Sequence, residues 1–152
     1  MPDVFISYSV RDEKLAQFVR QHLLNHQLDV FLASLSLNPG EHWTPQIIEA
    51  LRYSEWVFLL ASKSALSSPT VQHEVGGAIF HKKKLVPIMW DIAPADLPPW
   101  IAQYQGLVLT GATMENINCQ IAALAANVKA SKINGQLVAG AVFAGLLLLL
   151  AS

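Results

Sequence analysis

Residues Trp56–Ala61 (Trp-Val-Phe-Leu-Leu-Ala) contain no polar side chain. A strand that exposes one face to water alternates apolar and polar residues. An unbroken apolar run of this length instead marks a strand covered on both faces, as in a parallel sheet flanked by helices. The rest of the chain follows suit. Val4–Tyr8 reads as a first strand, residues 29–32 as a second, 85–90 as a fourth and 106–109 as a short fifth. Between them lie stretches with helical spacing. Residues 12–26 carry Leu15, Phe18, Val19, Leu23 and Leu24 on one face. Thr44 before Pro45 is an N-cap followed by proline at the first helical position, opening a helix to about Tyr53. Residues 62–68 read as a polar loop, Ser68-Pro69 opens a helix to about His81, and residues 113–129 form an Ala-rich helix. Alternating strands and helices predict a parallel α/β fold.

Ligands of such sheets bind outside the carboxyl ends of the strands. The first strand ends at Ser7, Tyr8 and Ser9, which places these three residues at the expected ligand edge. Glu74 falls early in the helix after the central strand, also near that edge. An acidic residue there also gains about 0.3–1 kcal/mol from the helix dipole with no further role. Residues 33–43 form a loop punctuated by Pro39-Gly40, and Trp43 at its end reads equally as a stacking surface for a ring or as core.

Other signals carry less. His22 and His26 share a helix face, but no third metal ligand stands at a recognisable spacing, so no metal site is expected. His73 and His81 flank Glu74. Lys82, Lys83 and Lys84 form a basic run at a helix end. Gly76-Gly77 lies inside a helical pattern rather than after a strand, which excludes a phosphate loop. The serines lack a partnered His and Asp, so serine-hydrolase chemistry has no support. The formal net charge of −1 gives no general field for nucleic acid, and none is expected as a partner. Cys119 is the single cysteine, which excludes an internal disulfide. The N-terminus enters a strand directly, with no signal-peptide pattern.

The last segment departs from the rest. Only 14% of the chain is charged, against about 25% in ordinary domains. The apolar excess concentrates in residues 137–151, where Leu146 to Leu150 are five consecutive leucines. Fifteen residues span about 22 Å as a helix, short of a bilayer core; counting from Ile133 reaches about the required length. Lys129 and Lys132 precede it on the expected cytoplasmic side. The expectation is a domain over residues 1–130, then a hydrophobic, transmembrane helix over 131–152. Residues 133–152 would contact the membrane and hold the domain on its cytoplasmic face. Gly140, Ala141, Ala144 and Gly145 would let such helices pack closely.

The opening string Pro2-Asp3-Val4-Phe5-Ile6-Ser7-Tyr8-Ser9, followed by Asp12, closely resembles the first motif of TIR (Toll/interleukin-1 receptor) domains. The resemblance extends over roughly residues 2–125. It includes Ser62-Lys63-Ser64, Ser67-Ser68-Pro69, Glu74, Ala78 and Leu85-Val86-Pro87-Ile88. It implies a flavodoxin-like three-layer fold with a five-stranded parallel sheet. It also implies an NAD+ glycohydrolase or cyclase with no cofactor, NAD+ being the substrate. Glu74 would be the catalytic carboxylate, and Ser7, Tyr8, Ser9 and Trp43 would bind the nucleotide. Leu37, Asn38, Pro39 and Gly40 would belong to the BB loop, which makes assembly contacts. Activity would then depend on self-association, in immune or cell-death signalling. The chain has Ala33 where many active relatives carry an acid, Ser9-Val10 where some carry basic residues, and Thr70 where some carry tryptophan. The family therefore leaves an alternative: a non-enzymatic scaffold for TIR–TIR assembly.

Overall fold

The computed structural model describes residues 2–34, 44–67 and 83–134. Five strands, β1 (Val4–Tyr8), β2 (Val30–Ser34), β3 (Trp56–Ala61), β4 (Lys84–Met89) and β5 (Leu107–Val108), form one sheet. The strand order is β2-β1-β3-β4-β5 and every pairing is parallel. The expected flavodoxin-like topology is thus present, with its order reversal between β1 and β3. Among the described residues the helices are α1 (Glu13–Asn25), α2 (Pro45–Tyr53), α3 (Lys63–Leu66), α4 (Pro99–Ala102) and α5 (Met114–Asn134), with 3-10 turns at Val10–Asp12 and Pro94–Asp96.

Strand alternation divides the core into two layers. Val4, Ile6 and Tyr8 of β1, Trp56, Phe58 and Leu60 of β3, and Val86 and Ile88 of β4 pack with α1 and α5 through Leu15, Val19, Ile117, Ile121 and Leu124. Phe5, Val57, Leu59 and Leu85 point to the other layer, with Ala50, Leu51, Ala65 and Ile101. All six residues of β3 are buried, as their uninterrupted apolar run requires.

Local chemistry sets the element ends. Thr44 caps α2 by accepting from the Ile47 amide at 3.3 Å, with Pro45 first in the helix. The end of α1 is a Schellman motif: the Leu28 amide donates to the Leu23 carbonyl at 3.1 Å and the Gln27 amide to the Leu24 carbonyl at 2.9 Å. Leu23 and Leu28 are both buried in the same apolar layer, and Gln27 takes the left-handed conformation with φ 61°. β5 is short and approaches β4 closely at Gly106, where a Cβ would lie 2.1 Å from the Pro87 carbonyl oxygen.

Several sequence expectations change. β2 continues to Ser34, because its register with β1 pairs Ser7 with Ala33 and Tyr8 with Ser34. Trp90 lies beyond β4 and is partly exposed. Residues 63–66 are a short helix rather than loop. α5 runs past residue 129 to Asn134; its second half is tied down by Ser131, whose hydroxyl accepts from Lys84 Nζ at 3.1 Å, and by Lys132, paired with Asp3 at 3.1 Å.

The expected membrane anchor is corrected. Among the described residues, no helix is long and apolar enough to cross a membrane. The longest, α5, has 21 residues but carries Glu115, Lys129 and Lys132, and its apolar face is spent on the core. Ile133, the expected start of the span, belongs to this charged helix. Residues 135–152 lie outside the described residues, and placement at a membrane through 133–152 has no support in the fold.

Candidate functional site

The carboxyl edge of the sheet opens into a polar cleft of about 540 Å³ lined by Arg11, Asp12, Lys63, Ser64, Ser67 and Asp91. It lies where β1, β3 and β4 end, beside the order reversal, so topology and cavity agree on the position. A hollow by Pro2, Gln46, Glu49 and Tyr53 sits next to the start of β1, at the opposite edge, and is disfavoured for that reason. A small apolar hollow lined by Leu15, Phe18, Trp90, Met114 and Ile117 has few polar groups to orient a ligand.

Hydrogen bonds between distant segments build one wall of the cleft. The Ser62 hydroxyl donates to Asp12 Oδ2 at 2.5 Å and accepts from the Ala65 amide at 3.1 Å, capping α3. Asp91 Oδ1, beyond β4, accepts from the Lys63 amide at 2.8 Å. Ser9, beyond β1, shares a hydrogen bond with Ser64, Oγ to Oγ 3.0 Å. The Ser67 hydroxyl donates to the Ser64 carbonyl at 2.9 Å. Residues 62–64 are therefore fixed by three residues from two separate segments, Ser9 and Asp12 after β1 and Asp91 after β4.

The electrostatics are mixed. Asp12 is only 9% exposed. Burial pushes its carboxyl above the usual carboxylate range; the Ser62 hydrogen bond opposes that rise and nearby Asp91 adds to it. Arg11 and Lys63 bring two positive charges to the same cleft. The Tyr8 phenol is also pushed up, first by burial and then by Glu13. No group of three His, Cys, Asp or Glu side chains among the described residues is arranged to hold a metal. His26 Nδ1 lies 2.9 Å from the His22 carbonyl, and the His22 ring stands edge-on to Phe18.

Of the residues expected at the ligand edge, Ser9 is half-buried at the cleft through its bond to Ser64. Tyr8 is buried in the helical layer. Ser7 is 0% exposed, inside β1 between Ala33 and Leu59, so its hydroxyl does not reach a cleft ligand in this conformation. Trp43, Leu37, Asn38, Pro39, Gly40 and Glu74 lie outside the described residues. Sequence reasoning missed Asp12, Ser62 and Asp91 as a connected set. Asp12 stood as a helix start and as the end of the opening motif, Ser62 carried the signal of a serine three residues before the amide it caps, and Asp91 carried none.

The family described as "TIR domain" matches residues 4–123. The "Probable 2' cyclic ADP-D-ribose synthase BdTIR" of Brachypodium distachyon is 29% identical over 97 residues, 62% of this chain and 43% of that protein. The TIR-STING receptor from C. gigas in complex with 2',3'-cGAMP superposes with a TM-score of 0.63 at 21% identity, covering 82% of this chain and 39% of that one. The TIR domain of the Toll-related receptor TRR-2 from Hydra magnipapillata gives a TM-score of 0.55 at 16% identity, covering 70% of this chain and 84% of that one. At these identities the two structures share the fold. The chain spans less than half the length of the Brachypodium and C. gigas proteins.

Proposed function

The chain belongs to the TIR domain family, and on that premise we propose that it cleaves the bond between nicotinamide and ribose in NAD+. The observation that carries the reading is the likeness to a protein named as a probable cyclic ADP-ribose synthase. A cyclic ADP-ribose is what remains when nicotinamide leaves NAD+ and an internal hydroxyl takes its place on the ribose; attack by water gives linear ADP-ribose. Nicotinamide leaves as a neutral molecule from a cationic ring, so no strong general acid is needed. The transition state is oxocarbenium-like, and one carboxylate stabilises it. Glu74 is our candidate for that carboxylate. The cleft offers Arg11 and Lys63 to a nucleotide's diphosphate, with Ser9 and Ser64 as hydroxyl partners. Trp43 and residues 37–40 are proposed to complete the site with a neighbouring copy, so that turnover per molecule rises with protein concentration.

A second reading, an assembly module without turnover, draws on Ala33. Many active relatives carry an acid here, whereas Ala33 is buried in β2 opposite Ser7. Nicotinamide release by concentrated protein separates the two. Release that disappears in Glu74→Gln supports the enzyme. Its absence at high concentration, with self-association intact, favours the module.

A further inference from the structure

We infer that Asp12 is a positioning residue: acting through Ser62, it holds the Ser62–Ser64 wall of the carboxyl-edge cleft in its working geometry. The inference rests on the reading of the cleft as the site of NAD+ cleavage.

The hydroxyl of Ser62 joins Asp12 to the start of α3. It is fully buried and has two partners, Asp12 Oδ2 as acceptor and the Ala65 amide as donor. A serine hydroxyl donates one hydrogen bond, and here Asp12 Oδ2 accepts it. With the carboxylate in place, the lone pairs of Ser62 face the Ala65 amide and α3 starts where it does. Without it, the hydroxyl is free to turn and the cap loses its orientation. α3 has four residues and stands too short to hold itself, so its start depends on such external bonds. Asp12 borders the cleft, but its carboxyl is nearly covered and engaged by Ser62 at 2.5 Å, so it acts through Ser62.

What Asp12 fixes lines the cleft. Lys63 and Ser64 follow Ser62 directly, and both face the cavity. Ser64 also meets Ser9 from the end of β1, and the Lys63 amide donates to Asp91 beyond β4. Asp12 is the one buried carboxylate among these ties. Among the described residues, Arg11, Lys63 on α3 and Asp91 after β4 line the same cleft as Asp12, and Glu13 follows it directly in the chain. Burial disfavours the charged state of this carboxylate at the cleft edge, and the Ser62 hydrogen bond offsets part of that cost.

The test measures nicotinamide release from NAD+ and amide hydrogen exchange on the full chain, for wild type, Asp12→Asn, Asp12→Ala, Ser62→Ala, Ser62→Thr and the Asp12→Ala/Ser62→Ala double variant. We expect Asp12→Ala and Ser62→Ala each to lower kcat/KM at least tenfold, the double variant to be no worse than either, and Ser62→Thr to retain most activity. Displacing reactive geometry by about 1 Å costs about 100-fold, which sets the scale. The acid limb of the wild-type pH profile should move to lower pH in Asp12→Asn, a change that loss of packing alone does not produce. Exchange at the Lys63 and Ala65 amides should rise in Asp12→Ala while β1 and β3 stay protected. Additive losses in the double variant, or full activity in Asp12→Ala, overturn the inference while leaving NAD+ cleavage standing. If the wild type releases no nicotinamide, the functional reading fails, and exchange then decides: unchanged protection at Ala65 overturns the Asp12–Ser62 link, and raised protection loss confined to residues 63–67 sustains it.

Discussion

Lys84 reaches from the start of β4 to the hydroxyl of Ser131, 3.1 Å away near the end of α5. The same ammonium pairs with Glu55 at 2.9 Å and lies 5.1 Å from the centroid of the Trp56 ring. One lysine thus binds a helix, a strand and the turn before the central strand at the amino edge of the sheet.

Truncating it should be felt beyond its ion pair. The Glu55 partner is half exposed, and such pairs contribute about 0.2–1 kcal/mol. The ring contact and the bond to the nearly buried Ser131 bring the expected loss for Lys84→Ala to roughly 1–2 kcal/mol. Urea unfolding measures it. A loss that vanishes in high salt would reduce Lys84 to its exposed ion pair.

Asp12 should make stability depend on pH in an unusual direction. Its carboxyl is raised by burial and by Asp91, so the folded state binds the proton more tightly than the unfolded state. Its contribution is complete below the ordinary carboxylate range, near pH 4, and is lost as pH climbs through the raised value. Asp12→Asn cannot lose a proton there. The stability difference between variant and wild type should therefore shift in the variant's favour from pH 4 to pH 7, read by denaturant midpoints. A shift the other way would show the Ser62 bond outweighing burial.

Gln27 stands in the left-handed region at the end of α1, a conformation costing side-chain-bearing residues roughly 1–2 kcal/mol. Glycine relieves that strain but loses more entropy on folding, so Gln27→Gly should gain up to about 1 kcal/mol. Thermal unfolding gives the sign, and a lower midpoint would mean that the Gln27 side chain contributes more than its backbone costs.

Gly106 meets backbone rather than a yielding side chain. A Cβ there lies 2.1 Å from the Pro87 carbonyl oxygen and 2.7 Å from its Cγ. Gly106→Ala must push β5 from β4, at a cost of about 1–3 kcal/mol. Equal stability to wild type in denaturant would mean the two strands separate at little cost.

The sequence displayed the frame clearly where burial is two-sided. β3 and β1 were legible because their apolar runs have no solvated reading, and the parallel order followed from helices between strands. The α2 cap was legible because Thr44 and Pro45 act on their own neighbours. The cleft wall was not, because its bonds join Asp12 to Ser62 and Asp91 to Lys63 across 50 and 28 positions. α3 escaped for the same reason: four residues have no periodicity, and what holds them comes from elsewhere. Lys129 and Lys132 read as the cytoplasmic flank of an apolar tail, whereas they belong to α5, whose end is held by the distant Lys84 and Asp3.

The strand order has a consequence for when the cleft comes into being. Asp12 and Ser9 leave the ribosome early, but their partners Ser62 and Ser64 emerge about 50 residues later and approach only when β3 docks on the free side of β1. Pairings this distant in sequence form slowly and late. A nascent chain ending before β3 has the opening motif and no cleft. Any activity housed there begins with closure of the sheet, so its onset is timed by folding rather than by the synthesis of its first residues.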